Sequence, residues 1–353
     1  MDLSEIKNIN TFTQANTPTS AEIGDVWFES GTSNKYVYVK IGSSYYWKNV
    51  LNYRFVGFGS SYGYSMGGYD DTNNLSTIDR ITFPFDSETA FHVGNLSVTK
   101  RFSAGCNSSN YGYSMGGGLT IDRITFPFDS GTASYVGNLS ETKGGCASCN
   151  SSNYGFCMGG HGGGYLSTID RITFLFDSGT ASHVGNLSGT INLVTGCNSS
   201  NYGYCMGGYD DINNLSTIDR IIFPFDSGTA SHVGNLSETK WDSVGCNSSN
   251  YGYSMGGCSS VYLSTIDCIT FPFDSGTASH VGNLSGIKRS SAGCNSSSYG
   301  FYMGGYGGSG LSTIDRITFP FNSGTASHVG NLSGSRGDDA GCDGTDFVSL
   351  FLN

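Results

Sequence analysis

The sequence predicts an all-β chain folded as a β-propeller, and three observations carry that prediction. A single unit recurs: the asparagine of its VGNL stretch returns at Asn95, Asn138, Asn186, Asn235, Asn283 and Asn331, in steps of 43, 48, 49, 48 and 48. A period of this size marks an array or a propeller rather than a string of separate domains. Each unit holds four short runs that read as strands. Residue size also rises from the first run to the third, as a wedge around an axis requires.

Strand a, AGCNSS, is made of small residues suited to a crowded axis. Strand b, YGYSMGG, places Tyr62, Tyr64 and Met66 on one face and Gly63, Ser65 and Gly67 on the other. Strand c, IDRITFPF, carries Ile81, Phe83 and Phe85 on a bulky face, and strand d is ASHVGNL. The c–d turn DSGT offers an aspartate to accept backbone hydrogen bonds and a glycine for positive φ. Pro84, Pro127, Pro224, Pro272 and Pro320 fall inside strand c as read here; a ladder donor is lost there, so a bulge, a bend or a misplaced strand end is expected.

Residues 1–20 read as an extended arm. Residues 21–52 contain strand-like runs, KYVYVKIG and YYWKNV among them, and residues 53–353 form the repeats. The a–b pair occurs seven times if the C-terminal DDAGCDGTDFVSLFLN is counted, but c–d only six times. The count favours seven four-stranded blades, the last closed by both chain ends, with strands from 21–52 supplying its c and d. The alternative is six blades plus a small N-terminal domain.

Composition narrows the function. With 53 glycines, six prolines and 13% charged residues, the chain suits short strands joined by tight turns. A formal net charge of −11 argues against nucleic acid as the partner, since phosphate binding needs a basic surface. No apolar run reaches membrane-spanning length, and the opening residues carry no signal-peptide pattern, so neither membrane insertion nor a secretory signal is expected. Six of the eleven cysteines, Cys106, Cys149, Cys197, Cys246, Cys294 and Cys342, are copies of one position, and read as packing residues.

Copies of one unit can be compared within the chain. The a–b turn CNSSNYG and the c–d turn FDSGTAS scarcely vary, whereas the b–c and d–a connections vary in length and content. In an antiparallel a–b–c–d blade these two connections emerge on the same face. All the variation therefore lies on one rim, the candidate binding face; neutral drift in loops is the plain alternative. On it lie Tyr69, Lys100, Arg101, Phe102, Tyr165, Tyr209, Lys240, Trp241, Asp242, Tyr262, Lys288, Arg289 and Tyr306. Aromatic faces beside charged and hydrogen-bonding groups can stack on sugars and hold their hydroxyls, and would equally serve a protein contact.

Catalysis finds little support. The strand-d histidines are copies held apart by the propeller's rotation, so they cannot converge on a metal. Asp70–Asp71 and Asp210–Asp211, with asparagines nearby, could attract Ca²⁺, but their spacing is not that of an EF-hand and they read as solvated loop carboxylates. The Asp-Arg of IDR recurs as a repeated ion pair would, and Arg336-Gly337-Asp338 is read as a chance match. No catalytic residue, metal or cofactor is expected.

The unit resembles the kelch repeat in its small-residue strand, the Gly pair after Met66 and an aromatic c–d hairpin. Where kelch units carry a tryptophan at the start of strand d, this chain has His92, Tyr135, His183, His232, His280 and His328, with Trp47 in the N-terminal strands. The wording STIDRITFPFDSGTASHVGNLS, and the lead PTSAEIGDVWFESGTSNKYVYV, also resemble structural and tail-fibre-like proteins of aquatic bacteriophages. That resemblance implies a virion protein meeting a host-surface glycan or protein, other virion proteins, or further copies of itself. Docking on virion proteins as a structural or decoration component is the second expectation, and a polysaccharide-acting enzyme the third.

Overall fold

The computed structural model describes residues 61–344 throughout, together with the backbone of four N-terminal strands. Those four, Thr11–Gln14, Val26–Glu29, Lys35–Ile41 and Ser44–Asn49, form a sheet of their own in that order. The first pair is parallel and the others antiparallel. They belong to a unit separate from the repeats.

The repeats form a β-propeller of six four-stranded blades, not seven. Blade I takes strand a from Ala340–Gly344, b from Tyr62–Met66, c from Thr77–Thr82 and d from Phe91–Asn95. Strand a of blades II to VI begins at Ser103, Ala147, Thr195, Val244 and Ala292. The count to seven assumed that each strand a precedes its own b. At the closure it does not, because the last strand a pairs with the first b. Its register is that of every other blade: Cys342 lies opposite Tyr64 as Cys106 lies opposite Tyr113 and Cys294 opposite Phe301. The strands at 35–49 are thus not part of the closing blade. Gly57, which stands at the repeated cysteine position ahead of Tyr62, and the strand b expected after Gly344 lie outside the described residues.

Strand a is made of small residues because the axis leaves no room. A Cβ on Gly341 would run into Gly293 O, and one on Gly105 into Gly341 O. A channel of about 230 Å³ remains along the axis between these strands. The prolines do not interrupt strand c, which ends at Thr82 in blade I, before the cis Phe83–Pro84 bond; the same bond recurs in four other blades.

Blades are joined by side chains of fixed type. The second aromatic of each strand b stacks on the Phe that directly follows strand c of the next blade. Tyr64 meets Phe126 at 5.4 Å, Phe156 meets Phe223 at 5.3 Å, and Phe301 closes the circle on Phe83 at 5.0 Å between ring centroids. Tyr64, Tyr204 and Tyr253 also accept a hydrogen bond from the backbone N–H of Phe128, Phe273 and Phe321. The open edge of each strand d is covered by the c–d turn of the following blade, as at Asn95–Thr132 and Asn283–Thr325, which blunts an edge that could otherwise recruit another chain. Glu88–Thr89 does the same for blade VI. All eleven cysteines are free and buried.

Their recurrence predicted that the Asp and Arg of IDR pair with each other, and they do not. Each Arg reaches the c–d turn aspartate of the next blade: Arg80 to Asp129, Arg123 to Asp177, Arg171 to Asp226, Arg220 to Asp274 and Arg316 to Asp86. Each Asp instead holds the serine that follows VGNL in the preceding blade, as Asp122 holds Ser97 and Asp315 holds Ser285.

Candidate functional site

The variable rim is built from paired backbone. In blade VI Arg289, in the connection entering the blade, pairs antiparallel with Tyr306 in its b–c loop. Gly337–Tyr69, Gly144–His161, Asn192–Tyr209 and Trp241–Cys258 are the equivalent pairs. Inside these arches, six residues form a closed ring of backbone hydrogen bonds about the axis. Phe102 N–H donates to Asp338 O, Gly145 to Phe102, Leu193 to Gly145, Asp242 to Leu193, Ser290 to Asp242 and Asp338 to Ser290, over 2.7–3.0 Å. All six have φ between 55° and 66°, a conformation that glycine adopts freely and that bulky residues such as Phe102 and Leu193 rarely do.

The ring and arches sort the thirteen residues expected on this rim. Lys100, Lys240 and Lys288 are not available to a ligand. Each is buried and reaches into the next blade, to Asp122 at 3.3 Å, Asp267 at 3.2 Å and Asp315 at 3.0 Å. Lys143–Asp170 and Arg336–Asp79 repeat the contact, and only the junction of blades III and IV has an apolar residue, Ile191, at this place. Burial lowers the pKa of Lys100 and Lys240, and the facing carboxylates oppose it. The Arg-Gly-Asp stretch is inaccessible for the same reason, since Arg336 is 1% exposed.

Six of the other ten converge. Tyr69, Arg101, Phe102, Tyr262, Arg289 and Tyr306 line one depression of about 260 Å³, together with Gly308 and Asp338. It spans the rim at blades V, VI, I and the entry to II. Arg289 is held by Asp242 at 2.7 Å, and its guanidinium lies 4.9 Å from the Trp241 ring, 5.3 Å from Tyr262 and 5.8 Å from Tyr306. Arg101 stacks on Tyr69 at 4.6 Å and Phe102 at 5.0 Å. Blade II has almost no b–c loop, Gly117 alone separating its strands b and c, so no arch rises beside Arg101.

Two carboxylates sit beneath these arginines. Burial, with Asp338 adding to it, raises Asp242 to about 7, and burial raises Asp338 to about 6, against the pull of the nearby arginines. One oxygen of Asp338 has no hydrogen-bond partner among the described residues. Burial and the charge of Asp338 likewise push the Tyr306 hydroxyl up. Asp338 was missed as a site residue because it was read as part of a chance motif. Its alignment with Asp242, each standing two residues before the first residue of strand a, was the signal that could have found it.

Tyr165 and Tyr209 form a second, separate cluster on blades III and IV. Their rings meet edge-on at 5.9 Å, with His161 against Tyr165 at 5.5 Å and no arginine among these contacts. The paired loop carboxylates of blades IV and I are engaged in their own turns. Asp210 accepts from the backbone N–H of Ile212 and Asn213, which lowers its pKa, and Asp70 accepts from Thr72 and Asn73. Among the described residues, no cluster of three or more His, Cys, Asp or Glu is placed to hold a metal ion.

The larger depression therefore offers aromatic walls, two guanidinium groups and an unsatisfied carboxylate oxygen, on a backbone frame fixed by the ring. No protein-family model matches the chain, and no curated protein matches it.

Proposed function

We propose that this chain is a non-enzymatic binding protein that holds a host-surface glycan on its variable rim, in the depression between Arg101 and Arg289. The observation that carries the reading is convergence: six residues picked out only because their loops differ between copies line the same depression. Tyrosine and phenylalanine faces suit the apolar face of a sugar ring, and the flanking arginines and Asp338 supply donors and an acceptor for its hydroxyls. The resemblance to kelch units and to tail-fibre-like virion proteins supports placing the propeller on a phage particle, with the N-terminal strands as the part that meets other virion proteins.

A second reading, a protein partner on the same rim, rests on Ile212, Val261 and Ile287, large apolar side chains 81%, 63% and 56% exposed in the variable loops. A Phe102→Gly, Tyr262→Ala double variant separates the two. Gly145 already shows that the ring accepts glycine, so folding survives the first change. Loss of binding to a glycan array, with the melting temperature kept, supports the glycan. Undiminished glycan binding, or retained cell binding abolished instead by Ile212→Ser with Val261→Ser, refutes it.

A further inference from the structure

The two arginines of the depression are not equivalent. Arg289 has its charge met by Asp242 and its faces covered by three aromatic rings. Arg101 is stacked on Tyr69 and Phe102 and its charge acts on Asp338, but it makes no ion pair or hydrogen bond among the described residues. Stacking fixes the plane of a guanidinium while leaving its N–H edge free, and that edge matches a carboxylate in bidentate fashion. Beside it, the unpartnered oxygen of Asp338, a residue 8% exposed, calls for a donor such as a hydroxyl. A ligand that satisfies both must carry one planar anionic group and at least one hydroxyl.

Charge and size restrict it further. Asp338 and Asp242 lie beneath the arginines, and Asp71 approaches from the neighbouring arch, where it accepts from Gly310 N–H at 2.8 Å. These carboxylates bring the local charge close to balance, so a dianion such as a phosphate would be repelled where a monoanion is tolerated. The volume of about 260 Å³ lies at the small end of ligand pockets, which begin at roughly 300 Å³, and suits a single sugar unit. We propose that the depression binds a carboxylate-bearing terminal sugar, a uronate-type residue, with Arg101 on its carboxylate and Asp338 on a hydroxyl. This rests on the glycan reading of the same rim.

The test is saturation-transfer NMR titration of the full chain with D-glucuronate, methyl D-glucoside and glucose 6-phosphate, on the wild type, Arg101→Met, Arg101→Lys and Phe102→Gly. The expected result is glucuronate bound roughly tenfold or more tighter than the glucoside. Arg101→Met should remove that preference and Arg101→Lys restore part of it, because an ammonium keeps the charge but not the fork. Equal binding of the acid and the neutral sugar, insensitive to both Arg101 variants but lost in Phe102→Gly, overturns the carboxylate and leaves the glycan reading standing. Tighter binding of the phosphate also overturns it. Absence of binding to all three overturns the inference and the glycan reading together.

Discussion

On the rim formed by the a–b and c–d turns, side chains reach from blade to blade; on the opposite rim the backbone does most of that joining. At the constant rim the arginine of IDR grips the next blade's turn aspartate at five junctions, and the sixth has Cys268 facing a turn with Asn322. Both members of that pair are neutral, so the two departures compensate. At the same end, the asparagines that close strand a link neighbouring blades: Asn150 N–H donates to Asn198, Asn247 N–H to Asn295 and Asn295 N–H to Asp343. At the variable rim the six-residue ring and the paired arches use N–H and C=O groups that any residue provides. Apart from the buried cation, this rim asks almost nothing of its side chains. The constancy of the turns is therefore imposed by neighbouring blades, and the loops are left free to vary.

The contrast can be broken most forcefully at that buried cation. Lys240→Ala should cost about 3 kcal/mol, because it leaves Asp267 buried without its partner. The loss stays near the lower end of the usual range because Ser237 still holds that carboxylate, as Ser188 holds Asp219 where Ile191 stands. Chemical denaturation would measure it.

The next effect is pH-dependent. Asp343 takes the place held by asparagine in the other five blades, and burial raises it to about 7. A carboxyl raised above its unfolded value stabilises the fold fully below about pH 4, and that stability is lost as the pH climbs through about 7. Asp343→Asn should flatten this decline and raise the melting temperature at pH 8, by a gain on the order of 1 kcal/mol. Asp339, also raised to about 7, leaves a residual slope.

Smaller changes sharpen the comparison. Leu193→Gly relieves a left-handed backbone at φ 55° and should stabilise by about 0.5–1 kcal/mol, measured by thermal melting. On the constant rim, Cys268→Arg combined with Asn322→Asp should restore the missing ion pair and gain at most about 1 kcal/mol, visible as coupling in a double-mutant cycle.

Much of this was legible in the repeat, and the failures have physical causes. Strand sizes, the wedge and the variable rim follow from comparing copies, because copies in equivalent places answer the same local forces. The blade number did not follow. Nothing local to Ala340–Gly344 says that its partner is Tyr62–Met66, at the other end of the repeats. Lys100, Lys240 and Lys288 were misread because loop lysines are usually solvated, although their recurrence with Lys143 and Arg336 at one position pointed to a shared partner. The clustering of Arg101, Arg289 and Asp338 depends on the closure and on the short loop of blade II, which no single unit reveals.

The most direct measurement sets one rim against the other: dissociation constants for host-surface glycan of the Phe102→Gly, Tyr262→Ala variant and of Asn322→Asp, both confirmed folded. The account predicts roughly tenfold or greater weakening for the first and wild-type affinity for the second. Wild-type affinity in both, or a loss confined to Asn322→Asp, would contradict it.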